Sequence, residues 1–496
     1  MGGVNGVSSF VTDLARPLVL GLGATGAAVV EVLTTLGAKV DALDVSEAAI
    51  ERARELAPQA NYVLARDATD LAAQATRLAP RLVITSPGIS PFTPVRQQLS
   101  LAGSEVISEI ELARRLQDAG GFSQVPWFAI TGTNGKTTTV RMLAAMLSAA
   151  GYRAPAVGNV GDPLVRVVAE LGAAHGATAI PLELSSFQLF DTQQLRAHGA
   201  VCLNLAPDHL DWHGSAQHYA DAKARVYAGA QSVCVYTQDP ATRRMVEEAD
   251  VAPGTRAIGV TTGVPTVGEL GVVEELLVDR AFLAKRQREA RPFATLEDLA
   301  HLAGGQVPPR HLVQDALAAA ALAFSAGASP EAVRQALTDF TPDAHRGDVV
   351  AEQDGVRWVN NSKATNPHAA RAALAGLAAG SAVWIAGGDS KGTELASLVH
   401  EVADRLRAVV IIGKDPTPLA SAVGQLATPV AAVVVPDGSA EAVMRAAVAH
   451  AHRLAQPGDT VLLAPACASW DQFSSYSQRG ALFTAAAREQ VGSADA

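Results

Sequence analysis

The sequence predicts an α/β protein of three domains, each a mostly parallel sheet covered by helices, and three observations carry that expectation. A chain of 496 residues is too long for one compact core, and about 150 residues per domain gives roughly three. Apolar runs of strand length alternate with longer helix-patterned runs, as parallel strands joined by helical crossovers require. Two of the strands run directly into glycine-rich turns, GLGATG at Gly21–Gly26 and TGTNGKTTT at Thr131–Thr139.

The first block, residues 1–120, has a strand at 17–20, the helix-like GAAVVEVLTTLG and a strand at 39–44. A helix at 46–56 and the strand RLVITS before Pro87-Gly88 complete a βαβαβ order. The polar, glycine-containing Gln117–Gly121 marks its end. The second block, 121–342, opens with a strand at 127–131 and a helix beginning TTTVRMLAAMLSAAG. The apolar ATAIPLELSS containing Glu183 and a strand at 200–205 follow. Its last helices are ALAAAALAFSAG and SPEAVRQALTDF, where Ser329 precedes Pro330 at the first helical position. Residues 239–310 show no clear pattern. The third block, 343–496, alternates most cleanly: VRWVNN, HAARAALAGLAAG, AVWIAGG, helix 393–407, AVVIIG, helix 416–426, VAAVVV, SAEAVMRAAVAHAHRLA and DTVLLAPA. Ligands of such sheets sit at the carboxyl ends of the strands.

Composition narrows the function. A net charge of -10 with no Lys/Arg-rich run argues against a nucleic-acid partner. The three cysteines, Cys202, Cys234 and Cys467, form no C-x-x-C pair, so neither a disulfide framework nor a structural zinc site is expected. No basic-then-apolar leader is present, and no uncharged apolar run reaches the roughly 18 residues of a membrane span. A soluble cytoplasmic protein without membrane insertion is the expectation.

The stretch after residue 128 has the parts of a phosphate site, yet it is shorter than G-x-x-x-x-G-K-[ST]: five residues before Gly135 stands Ile130. Backbone N–H groups and the helix dipole favour an anion there. Lys136 supplies a positive charge and Thr137 a hydroxyl for Mg²⁺. GLGATG satisfies the dinucleotide fingerprint, and Asp44 stands about 20 residues on, where a ribose-binding acid is expected. A nicotinamide dehydrogenase is therefore the rival reading. Glu183 ends an apolar strand in the block of the phosphate loop, where a Mg²⁺ ligand is needed. His209 and His213 are four apart, but Leu210 fills the slot that H-E-x-x-H reserves for glutamate. Lys223 lies in the amphipathic YADAKARVY, and helix pattern alone makes it a surface lysine. In the third block the strand ends Asn361–Asn366, Gly387–Lys391 and Pro465–Ser469 gather lysines and hydroxyls suited to carboxylates. Cys467 lacks a basic activator and is not a nucleophile.

TGTNGKTTT, LELSSFQL, NLAPDHLDWH, YADAKARVY, HRGDVV, NNSKATNP, GGDSKG and PACASWDQF together resemble, in order and over nearly the whole chain, the Mur ligases of peptidoglycan synthesis. GLGATG, SSFQL and ACAS-x-DQF look closest to the branch that adds D-glutamate to UDP-N-acetylmuramoyl-L-alanine. A sister ligase or a folylpolyglutamate-type synthetase adding another amino acid is the second reading. A nicotinamide oxidoreductase or a non-catalytic nucleotide-binding module is the third.

The resemblance implies an N-terminal Rossmann-like domain for the UDP-sugar, a central P-loop ATPase-like domain and a C-terminal Rossmann-like domain for the amino acid. It implies ATP and two Mg²⁺ ions in a cytoplasmic monomer. By resemblance, Thr25, Asp44, Ser86 and Gly88 contact UDP, with Asn159, Ser185 and Gln188 along the sugar-peptide. Gly132, Thr133, Asn134, Gly135, Lys136, Thr137 and Thr138 form the ATP loop, and Asp315, Arg346 and Asn361 complete the nucleotide site. Thr137 and Glu183 would hold one Mg²⁺, and His209 with a carbamylated Lys223 the second. Lys136, Glu183, His209 and Lys223 are the implied catalytic groups. Thr365, Lys391, Ser469 and Tyr476 would surround D-glutamate. The chain departs from the family at Asp315, where asparagine is usual, at His311-Leu312 for a His-Asn pair, at Asn361 for aspartate, and at Tyr476 for phenylalanine.

Overall fold

The computed structural model describes residues 2–303, 307–341, 345, 347–390 and 392–492. It forms two compact units, Met1–Pro207 with Trp212–Phe340, and Asp208–Asp211 with Thr341–Ala496. The first unit holds two sheets. Five parallel strands run in the order Asn61–Leu64, Asp41–Asp44, Leu18–Leu20, Leu82–Thr85, Glu105–Ile107. Nine strands form the other, in which Trp127–Thr131 lies between Ile180–Glu183 and Gly199–Cys202. The second unit carries six strands, all parallel except Asp348–Gln353, which pairs antiparallel with Val356–Asn360. No described helix is long and apolar enough to cross a membrane.

Central strands read as apolar runs because both faces are covered. Along Trp127–Thr131, Trp127 and Ala129 enter one core while Phe128 and Ile130 enter another. Capping fixes helix starts near the predicted points: the Ser46 side chain accepts from Ala49 N before Glu47–Leu56, and that of Ser329 from Ala332 N before Pro330–Asp339. Strand 200–205 is corrected to Gly199–Cys202, beyond which Asn204 turns to the phosphate loop.

The stretch without a readable pattern contains the helix Pro240–Glu247 and four strands, Arg256–Val260, Glu269–Val273, Leu276–Asp279 and Arg291–Thr295. The last two lie antiparallel at the sheet edge. Strands of four or five residues, with about half of their positions buried, give too few positions to make a period plain.

Gln117 was expected at a polar boundary and is instead wholly buried. Its amide donates to Phe122 O (2.8 Å) and Val125 O (3.0 Å) and accepts from Trp127 Nε1 (2.5 Å). The same helix, Glu109–Ala119, begins with a buried acid. Glu109 Oε1 accepts from Val165 N at 2.6 Å, and Oε2 has no hydrogen-bond partner among the described residues.

Burial pushes the Glu109 carboxyl up from its ordinary 4.5 to about 7. A raised carboxyl holds its proton more tightly when folded, so its contribution is complete below about pH 4.5 and is lost as pH rises through about 7. Glu109→Gln is therefore expected to flatten this window and to gain at most about 3 kcal/mol at pH 8. Urea unfolding at pH 5 and pH 8 measures it, and an unchanged pH dependence refutes it.

Candidate active site

The phosphate loop leaves the buried strand Trp127–Thr131 and enters the helix Lys136–Ala149 through Gly135, whose φ of +84° suits glycine. A Cβ on Gly135 would lie 2.4 Å from Asp315 Oδ1, so the carboxylate of the helix Arg310–Ser325 presses directly on the loop. The helix has no side-chain cap, which directs its first N–H groups toward an anion. Asn204, a strand-end polar residue to which sequence reasoning gave no role, brackets the loop: its Oδ1 accepts from Asn134 N (2.9 Å) and its Nδ2 donates to Asn134 O (3.1 Å). Thr133 Oγ1 accepts from Ala206 N (2.9 Å) and lies 3.0 Å from Tyr219 Oη. Lys136 Nζ folds back to donate to Gly132 O (2.8 Å) and Thr133 O (3.0 Å). Thr137 is buried beside it.

Glu183 ends the neighbouring strand, in register with Ile130, and is 2 % exposed. Asn159 Nδ2 donates to Glu183 Oε1 at 2.8 Å. Oε2 is buried with no hydrogen-bond partner among the described residues. An acceptor-only oxygen buried in that state calls for a cation or a donor. Ser185 and Gln188 bond each other in a capping box at the start of Ser186–Phe190.

Lys223 corrects the surface reading. It is 1 % exposed, and its Nζ donates to Gly132 O (2.8 Å) and Thr131 Oγ1 (3.3 Å), 4.9 Å from the centre of the Tyr219 ring. Lys136 and Lys223 thus share one carbonyl oxygen. Three-dimensional packing of the helix Ala216–Ala224 against the loop buries what helix periodicity leaves outside.

A cavity of about 400 Å³ opens beside GLGATG and is lined by Thr25, Asp44, Ser86 and Gly88. All four sequence-predicted UDP residues therefore meet. Asp44 Oδ2 accepts from Leu22 N (2.5 Å) and Oδ1 from Ser46 N (2.8 Å), while Ser86 Oγ donates to Gly21 O (2.8 Å). A Cβ on Gly26 would sit 1.9 Å from Gly21 O, whereas one on Gly23 meets nothing within 4 Å. The third glycine serves packing, and the second leaves room for a ligand.

In the second unit, His209 takes a φ of +53°. Its N donates to Asp208 Oδ1 (2.9 Å), and its Nε2 lies 3.7 Å from Asp208 Oδ2. Asn361 N donates to Leu463 O at 2.9 Å. A cavity of about 210 Å³ is lined by Gly388, Asp389, Ser390, Lys414 and Cys467. Thr365 and Ser469, on loops, and Tyr476, at the start of the helix Tyr476–Gly492, lie outside its lining. Ser469 is buried, and the Tyr476 ring carries Lys363 Nζ 4.0 Å from its centre. Arg346 and Lys391 lie outside the described residues. No group of three or more His, Cys, Asp or Glu poised for a metal occurs among the described residues.

Three family profiles match the chain: a Mur ligase MurD-like N-terminal domain at residues 15–108, a Mur ligase middle domain at 130–323, and a Mur ligase glutamate ligase domain at 345–467. The UDP-N-acetylmuramoylalanine--D-glutamate ligase of Streptomyces coelicolor is 47% identical over 95% of this chain and 97% of its own. The proteins of that name from Thermobifida fusca and Mycolicibacterium smegmatis are 47% and 40% identical, covering 96% and 99% of this chain and 99% and 100% of theirs. Among solved structures, the fold is similar to the MurF ligase of Thermotoga maritima in complex with ADP, with a TM-score of 0.56 at 14% identity over 97% of this chain and 99% of that one. It is also similar to the UDP-N-acetylmuramate-alanine ligase of that organism, with a TM-score of 0.54 at 17% identity over 96% and 99%. With relatives this similar along almost its full length, the chain belongs to the Mur ligase family.

Proposed function

We propose that the chain joins D-glutamate to UDP-N-acetylmuramoyl-L-alanine and converts ATP to ADP and phosphate. The name shared by its near-full-length relatives supports the substrates. The orphaned Glu183 oxygen, one strand from the phosphate loop, carries the chemistry. The three sheets are read as three substrate domains: 1–120 for the UDP-sugar, 121–342 for ATP and 343–496 for the amino acid. A cytoplasmic monomer fits water-soluble, nucleotide-linked substrates.

Carboxylate and ammonium do not condense in water, so the acid is first phosphorylated and the amine then displaces phosphate. Lys136 releases its two loop carbonyls to meet the phosphates. The uncapped helix start binds their charge, and Asn204 holds the loop in shape. Asp44 and Ser86 fasten the turn that receives the UDP group, and Thr365, Lys391, Ser469 and Tyr476 take the amino acid. Thr137 and Glu183 fit a Mg²⁺ ion, which when bound neutralises phosphate charge. By resemblance His209 and Lys223 would serve a second ion, Lys223 only as a carbamate, because an amine offers no ligand oxygen. Asp315 and Asn361 exchange the family's acid and amide, so the nucleoside contacts are the part most particular to this chain.

Phosphate release from ATP and UDP-N-acetylmuramoyl-L-alanine, compared across a panel of amino acids, tests the reading. Turnover is expected with D-glutamate alone, and turnover with another amino acid replaces the assignment with a sister ligase. Calorimetry should find the UDP-sugar binding and NAD silent; the reverse would restore the dehydrogenase reading.

A further inference from the structure

Arg479 is the largest fully buried charged side chain among the described residues of the second unit, and sequence reasoning gave it no role. Its guanidinium spends every nitrogen on two strand-end loops. Nε donates to Ser362 Oγ (3.1 Å) and Nη2 to Ser362 O (3.0 Å). Nη1 donates to Cys467 O (3.3 Å) and Ala468 O (3.4 Å), and Nη2 also reaches Cys467 O (3.3 Å). None of these acceptors is a carboxylate. Ser362 Oγ in turn donates to Tyr476 O at 2.8 Å, on the first turn of the helix that carries Arg479. Asn360 Nδ2 ties the preceding strand to Gly480 O (2.8 Å) and Thr484 Oγ1 (2.9 Å) of that helix.

The loops so held are those of the proposed amino-acid site. Thr365 follows Ser362 by three residues, Ser469 follows Ala468 directly, and Tyr476 precedes Arg479 by three. We propose that Arg479 is the positioning residue of the amino-acid site: it fixes the Thr365 and Ser469 loops against each other and lends them a buried positive charge that favours a dicarboxylate. The inference rests on the assignment of D-glutamate to these loops. Only a planar fork can reach two loops at once; a lysine keeps the charge but offers a single point of attachment. Burial lowers the guanidinium to about 10, which leaves it charged at neutral pH.

Steady-state kinetics of Arg479→Met, Arg479→Lys and Ser469→Ala test this, with emission of the buried Trp358 and Trp384 reporting the packing of the unit. Arg479→Met is expected to raise the D-glutamate KM at least about tenfold, with the ATP KM within about twofold and unchanged emission. Arg479→Lys should recover part of the loss. If the Met variant loses its emission signature, the Lys variant decides: a raised D-glutamate KM supports the role and an unchanged one overturns it. An unchanged D-glutamate KM in a folded Arg479→Met, while Ser469→Ala raises it, overturns the role of Arg479 alone. An unchanged KM in Ser469→Ala overturns the site assignment and the inference with it.

Discussion

Lys223→Arg is expected to lose ligase turnover by about a thousandfold or more, the scale seen when a preorganised charge is removed from a transition state. Lys223 is 1 % exposed, and its nitrogen donates to Gly132 O, to which Lys136 also donates. Carbon dioxide adding to the neutral form of a lysine amine gives a carbamate. The carbamate is an anionic oxygen ligand on a long stem, and arginine cannot form it. Lys223→Ala should lose comparable turnover yet recover part of it with added acetate or propionate, which can occupy the vacated oxygen position. Bicarbonate dependence of the wild-type enzyme after extensive degassing is a second readout. A fully active Arg variant would show that positive charge is what position 223 supplies.

The phosphate loop was legible because its signal is local: an apolar strand, two glycines, a lysine and hydroxyls in sequence. Glu183 was legible for a related reason, as the polar end of an apolar strand. Lys223, Asn204 and Arg479 were not. Each earns its place through partners far along the chain, with Lys223 meeting residue 132, Asn204 meeting 134 and Arg479 meeting 362. Local periodicity assigns a charged or amide side chain to solvent by default, and only tertiary packing supplies the carbonyls that make burial affordable. The strands between 256 and 295 were lost because half-buried strands of four or five residues give too few positions to establish a period.

Lys136→Ala is expected to abolish ATP-dependent turnover, by at least about a thousandfold, with little change in stability. Two of its hydrogen bonds go to carbonyls of its own loop, and removing it leaves Gly132 O with Lys223 still donating. UDP-sugar affinity should stay within about twofold, because the cavity beside GLGATG is built from other residues. Single-turnover phosphate release and thermal unfolding measured side by side separate the two effects. Near-normal turnover would remove the phosphate loop from the chemistry; a large loss of stability would mean that the lysine holds the loop together.

The tight seat of Gly26 against Gly21 O bears on how such domains diversify. Of the three fingerprint glycines, this one answers to the turn's own backbone and is indifferent to the ligand. A lineage can therefore exchange one diphosphate-bearing ligand for another by altering the cavity walls around positions 25, 44, 86 and 88 while the signature persists unchanged. The motif marks common descent or common architecture of the turn, and ligand identity is inherited elsewhere.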